Sequence, residues 1–325
     1  MRNTFISTLT EVARADPNVW LVCGDLGFSV LEPFATEFPN RFVNAGVAEQ
    51  NMAGLATGIA LSGKTVFIYS IGNFPTLRCL EQIRNDVCYH GASVKVVSVG
   101  AGFAYGSQGY THHAIEDVAV MSTLPGMEVW SPADPQEVAA ITRDIGTRGG
   151  AAYLRLSRAG EPTLGHMNPG DVARPRLLRS GDDAILLATG PIAALCLDAA
   201  ELLARDGYEV AVASVARLKP FPREAVLDLT RGKQAIVTVE EHILRGGLYA
   251  AVLEMLAATP WNRRVVGLGI PEPAGKISLA GTREELLAEA GLSAPKIAQQ
   301  VAALCGDARG QEASDAATLA AARRS

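Results

Sequence analysis

The feature that most constrains this chain is a set of short apolar runs without polar alternation, "VWLVCGD", "KTVFIYS" and "VKVVSVG", each leading toward helix-like sequence. A strand with one face in water alternates apolar and polar residues, so runs that have lost the alternation belong to strands covered on both faces. Such strands interleaved with helices make a parallel sheet, because parallel neighbours need a crossover between them. The first part of the chain therefore reads as a doubly wound α/β domain that closes at "AAYLRLSR". A Gly- and Pro-rich stretch, "AGEPTLGHMNPGDVARPR", reads as a linker. A second doubly wound α/β unit follows, from "DDAILLATG" through "YEVAVASVARL" and "KQAIVTVEE" to "RVVGLGI". It ends in "GTREELLAEAGLSAPKIAQQVAAL", two helical segments hinged at Gly291. The expected boundaries are residues 1–164, a linker over 165–178, a second domain over 179–305, and a disordered tail over 306–325, where no core pattern survives.

Two domains suit a length of 325 residues, since single cores stop growing near ~250–300. A formal net charge of −5 gives no footprint for nucleic acid or an anionic membrane. The N-terminus reads as an amphipathic helix, with Phe5, Leu9, Val12 and Ala13 near helical spacing, and it lacks the apolar core of a signal peptide. No run approaches the roughly 18 apolar residues of a membrane span. A cytoplasmic protein is expected. The five cysteines form no C-x-x-C pair and their number is odd, which points to reduced, buried thiols. His112 and His113 are adjacent, which is poor metal-ligand spacing, and no metal site is expected in this chain.

Chemistry enters at "RFVNAGVAEQNMAGLATGIALSGK". Phe42 and Val43 read as a strand, Gly46 as the turn and Glu49 as part of a helix's first turn, at the carboxyl end of a strand where open parallel sheets place their sites. Two readings of Glu49 stand open. The helix dipole favours an acid there for purely structural reasons. Alternatively, Ala45, Gly46, Val47, Ala48, Met52, Ala53 and Gly54 leave the carboxyl poorly solvated, which favours its neutral form and suits proton chemistry.

"GVAEQNMAGLATGIALSGK", "RCLEQIRNDV", "THHAIEDVAVMSTLPGMEVWSPADPQE" and "YLRLSR" follow one another as in the pyrimidine-binding domain of transketolases, and "VTVEEHILRGGLYAAVLEML" and "GTREELLAEAGL" resemble the family's C-terminal domain. The resemblance spans nearly all of residues 1–303 and implies thiamine diphosphate chemistry. In it, Glu49 is the family glutamate that hydrogen-bonds the cofactor's aminopyrimidine. Phe74 and Tyr69 are candidates for the ring that stacks on that heterocycle, either of which could instead be core, and Arg78 lies beside them among the cofactor-binding candidates. His112 corresponds to a histidine that contacts donor or acceptor sugar, a task suited to an imidazole that donates and accepts. Arg158 matches an arginine that binds a substrate phosphate, and Arg2 and Ser29 lie near further anion contacts; Arg155 is the alternative, a structural ion-pair partner. Glu241 and His242 in "VEEHILRGG" read as structural and assembly-forming.

The chain departs from the family in two respects. The Gly-Asp-Gly signature with its following asparagine pair, which holds the diphosphate and Mg2+, is missing; "SGDDAILL" runs straight into a strand. The resemblance then implies a split enzyme, in which a separate subunit carries the diphosphate-binding domain and the metal, with an α2β2 assembly expected. Gln108 stands where many transketolases carry an aspartate that contacts the acceptor, which leaves the usual pentose phosphate acceptor open. Deoxyxylulose-phosphate synthase is also similar, but Gly100 occupies the place of its arginine. The beta subunit of a 2-oxo-acid dehydrogenase decarboxylase has the right size and a different glutamate motif. A degenerate scaffold subunit would not need Glu49, Phe74 and His112 together.

Overall fold

The computed structural model describes residues 1–168, 170, 172–261, 264–272 and 280–306. Most of the segment read as a tail lies outside them.

The chain opens on α1 (Arg2–Ala15), whose Phe5, Leu9, Val12 and Ala13 are buried as their spacing predicts. Strand β1 (Val19–Cys23) leads through a loop to α2 (Glu32–Glu37), then β2 (Phe42–Asn44), α3 (Glu49–Leu61) and β3 (Thr65–Ile71). After α4 (Leu80–Gln82), which continues as a wider π-type turn over Ile83–Cys88, come β4 (Val94–Val99), α5 (Asp117–Ser122), β5 (Glu128–Trp130), α6 (Pro135–Gly146) and β6 (Ala152–Leu156). Every residue of β4 and β6 is buried, the signature of strands covered on both faces. One face packs on α1 and α6 through Phe5, Leu9, Phe67, Ile141 and Ile145; the other packs on α3 through Val22, Met52, Ala56 and Ile68. Asp134 caps α6 by accepting from the Glu137 amide at 3.0 Å.

The second sheet begins with β7 (Arg176–Arg179), inside the end of the stretch read as linker, and continues with β8 (Ala184–Thr189), α7 (Ala193–Arg205) and β9 (Val210–Ser214). "YEVAVASVARL" reads as one strand but folds as two. Its first half is β9; its second, β10 (Arg217–Lys219), leaves for the first domain and pairs antiparallel with β5. The first sheet thus has seven strands in the order β10-β5-β6-β4-β3-β1-β2, all parallel except β10. The three-residue strand β5 would otherwise be an open edge, and β10 covers it. After α8 (Arg223–Thr230) the chain adds β11 (Ala235–Ile243), α9 (Leu248–Ala257) and β12 (Arg264–Ile270), giving a second sheet of order β12-β11-β8-β9-β7 in which only β7 is antiparallel. Helix α10 (Arg283–Glu289) and a last helix, α11 (294–306), meet at Gly291, whose φ of 77° supplies the hinge. The architecture is the expected one, two α/β domains built on mostly parallel sheets. None of the five cysteines forms a disulfide, and four are buried. Among the described residues no helix is long and apolar enough to cross a membrane.

Candidate active site

Glu49 opens α3, as the spacing predicts, with Gly46 at a φ of 71° making the turn from β2. Only 3% of the residue is exposed. The backbone of Gly24 lies alongside, so that a Cβ there would stand 3.5 Å from Glu49 Cγ. The apolar setting read from neighbouring residues is incomplete: Arg78, 29 positions away, donates from Nη1 to Glu49 Oε2 at 2.9 Å. No group among the described residues donates to Oε1. Beside the carboxylate, burial and then the nearby Glu49 charge push the Cys79 thiol up to about 12, so it stays protonated and donates to the Phe74 carbonyl.

The loop after β3 brings the other candidates in. The Arg78 guanidinium lies 4.3 Å from the Phe74 ring centroid, and Phe74, half-buried, meets the His112 ring edge-on at 5.4 Å. Glu49, Arg78, Phe74 and His112 are therefore one contiguous group at the carboxyl ends of β1, β2 and β3, where a doubly wound sheet opens its crevice. His113 is turned inward, buried against Phe103 at 5.0 Å, and its burial lowers its pKa. Gln108 lies exposed in the same loop.

Tyr69 does not join this group. Side chains alternate along β3, so Ile68 faces α3 while Tyr69 faces α1, where it is 2% exposed and stacked on Phe5 at 6.0 Å. Burial raises its phenol pKa. Its position corrects the reading of Tyr69 as a ring for the cofactor: it is core, and of the two candidate rings only Phe74 stands in the Glu49 group. Arg2 and Tyr105 lie close enough to Tyr69 to act on its charge, and the Arg158 guanidinium sits 5.6 Å from the Tyr105 ring. Exposed Ser29, at a φ of 62°, belongs to the loop whose Gly27 presses on Tyr69. Arg158 thus lies beside Tyr105, with Arg2 and the loop of Ser29 on the Tyr69 side of the sheet. Arg158 and Ser107 also line an interdomain cleft of about 460 Å3 together with Ser157, Glu161, Thr282 and Arg283. Arg155 takes the structural role: it is 1% exposed and binds Asp117 at 2.8 Å.

One contributor was not legible in the sequence. Asn44 accepts from the Asp25 and Gly46 amides at 3.0 Å each and donates to the Asp25 carboxylate at 2.9 Å. It thereby holds Asp25 at a φ of 55°, unusual for a residue with a side chain, and joins the two loops that flank Glu49. An isolated Asn after a strand carries no pattern that reveals such a role.

Residues 1–160 match the family described as transketolase, pyrimidine binding domain, and residues 174–297 match transketolase, C-terminal domain. The chain belongs to the transketolase family. It is 36% identical to the 6-deoxy-6-sulfo-D-fructose transketolase subunit of Clostridium sp. (strain MSTE9), over 82% of this chain and 84% of that one. It is 34% identical to an apulose-4-phosphate transketolase subunit of Phocaeicola vulgatus, over 82% and 86% of the two. A solved structure described as "Split gene transketolase, inactive beta4 tetramer" superimposes with a TM-score of 0.82 at 34% identity, covering 94% of this chain and 97% of the other. This transketolase chain covers 84–97% of the length of each of these relatives.

Proposed function

We propose that this chain is the C-terminal subunit of a split, thiamine diphosphate-dependent transketolase that moves a two-carbon ketol unit from an anionic ketose to an aldose. The observation that carries the reading is the contiguous group Glu49–Arg78–Phe74–His112 at the sheet's carboxyl edge. Its parts fit the aminopyrimidine end of the cofactor: a buried carboxylate whose Oε1 has no donor among the described residues, and an aromatic ring beside it. Bound there, the cofactor supplies the nucleophilic carbon and the electron sink for carbon–carbon cleavage.

The protein's part is proton management and position. Glu49 Oε1 holds a proton at the ring nitrogen of the aminopyrimidine, and its burial keeps water from competing for that bond. Arg78 fixes the carboxylate through Oε2 and is itself held over Phe74. Phe74 offers a face or edge to the heterocycle. His112, its Nδ1 3.0 Å from the Thr111 hydroxyl, orients a sugar oxygen. Arg158, with Arg2 and Ser29, binds the substrate anion, phosphate or sulfonate.

A partner subunit, carrying the diphosphate-binding domain and Mg2+, completes the site in an α2β2 assembly. The rim supports a partner here: Phe28 and Val47, which flank the Glu49 group on its two loops, are both 74% exposed. The relatives named as subunits, and the lone β4 tetramer described as inactive, support the same division of labour. The test is calorimetric titration of thiamine diphosphate and Mg2+ into this chain alone and into its mixture with the diphosphate-domain chain. Binding in the mixture only is expected, with turnover of anionic ketoses that Glu49→Gln abolishes while assembly persists. Tight binding to the lone chain would overturn the split-site reading.

A further inference from the structure

We propose that Glu241 of the C-terminal domain is a positioning residue for the reaction: it anchors the base of the loop that presents His112. The proposal rests on the assignment of His112 to substrate.

Strand β11 carries Glu240, Glu241 and His242 in succession, all buried. Glu240 has a local duty: it accepts from the Leu248 and Tyr249 amides at 2.8 Å each, capping α9. His242 Nε2 accepts from the Ala119 amide of α5, in the first domain, at 3.4 Å. Glu241 also reaches out of its domain, to the loop that carries His112. Its Oε1 accepts from the Phe103 amide at 2.8 Å, while Arg283 of α10 grips the carboxylate from its own domain, Nη2 to Oε2 at 2.5 Å and Nε to Oε2 at 3.0 Å.

The point of attachment is the neck of the loop. Gly102 and Ala114 bridge there through two amide–carbonyl bonds, Gly102 N–H to Ala114 O at 2.8 Å and Ala114 N–H to Gly102 O at 3.0 Å. Gly102 has a φ of 59°, and a Cβ on it would stand 2.3 Å from Glu241 Cγ, so the neck is pressed directly on this side chain. From Phe103 the contact passes to the ring of His113 at 5.0 Å, whose carbonyl is held by Asn73 Nδ2 at 2.8 Å, and so to His112, the next residue. A buried carboxylate is costly unless fully bonded, and an apolar residue would pack the same space. The charge is explained by what it holds: two α/β bodies, with the loop's register set from the second.

The test uses the chain assembled with its partner subunit. Glu241→Gln keeps an acceptor for Phe103 but loses the ion pair with Arg283; Arg283→Gln, at a side chain 26% exposed on the rim of the interdomain cleft, loosens the same carboxylate and serves if the first variant fails to fold. Amide hydrogen exchange should quicken over residues 102–114 and stay unchanged over 42–61. With the anionic ketose, KM should rise on the order of tenfold with the cofactor's affinity unchanged. In a His112→Ala background, Glu241→Gln should cost nothing further, because its effect passes through that side chain. Unchanged exchange over 102–114, or a cost that adds in full to that of His112→Ala, overturns the proposal. If the parent assembly turns over no ketose, the transketolase assignment fails, and the exchange result still decides whether Glu241 anchors the loop.

Discussion

Replacing Arg155 by Met should weaken this fold more than any change at the site's surface. The Arg155 guanidinium is wholly buried, and it donates to Asp117 Oδ2 at 2.8 Å, the Ala114 carbonyl at 2.7 Å and the Glu241 carbonyl at 3.0 Å. Asp117 is equally buried, and Tyr153 is its other donor. Met fills similar volume, so the loss is electrostatic: one carboxylate is left buried with a single phenol for partner, and two carbonyls lose a donor. Removing one member of a buried pair costs about 3–5 kcal/mol, to which the carbonyls add less than their separate values because they share the donor. Taking ~4 kcal/mol and about 2–4 °C per kcal/mol for large chains, thermal unfolding of the isolated chain should fall by roughly 8–16 °C. Adding Asp117→Leu removes the stranded charge and should recover at least about 2 kcal/mol. Circular dichroism melts of the three proteins decide it. A single variant within ~1 kcal/mol of the parent, or a double variant that melts lower than the single, would refute the argument that this pair supports the fold by mutual neutralisation.

Other outcomes follow from the same geometry. Phe74→Leu should weaken thiamine diphosphate binding in the assembled enzyme by roughly 0.5–1.5 kcal/mol, the worth of an aromatic pair, while Tyr69→Phe leaves that affinity unchanged because its ring lies on the other face of the sheet; calorimetry separates them. Asn44→Ala should speed amide exchange in residues 24–30, since it removes the bonds that hold Asp25 at positive φ. Burial lowers the pKa of His242 to about 4. Below the ordinary histidine value near 6.5 the unfolded chain binds a proton that the folded chain refuses, so stability falls as pH drops from ~6.5 to ~4, by about 3 kcal/mol in all. His242→Gln should flatten that part of the urea-midpoint profile against pH, and an unaltered slope would count against a neutral buried imidazole.

Local sequence determined the strands, the Glu49 turn and the Gly291 hinge, because these depend on burial pattern, helix entry and backbone freedom within a few residues. Phe5, Leu9 and Val12 show the rule: their spacing alone announced a buried helix face. The resemblance added which residues matter, and the structure brought Glu49, Arg78, Phe74 and His112 together. What the sequence could not convey is which distant groups meet. Arg78 reaches Glu49 across 29 positions and Glu241 reaches Phe103 across 138, and no periodicity encodes such pairs. Tyr69 stood as a second candidate ring after Phe74 until pleat and pairing assigned it to the α1 face. The strand read through "YEVAVASVARL" divides between two sheets because the exposed edge at β5 needs a partner, a demand that arises only once the first domain has folded. Residue type and spacing determine what a segment can be. Which face it presents, and to which charge, is decided by the packing of elements far apart in the chain, where burial makes every unpaired polar group costly.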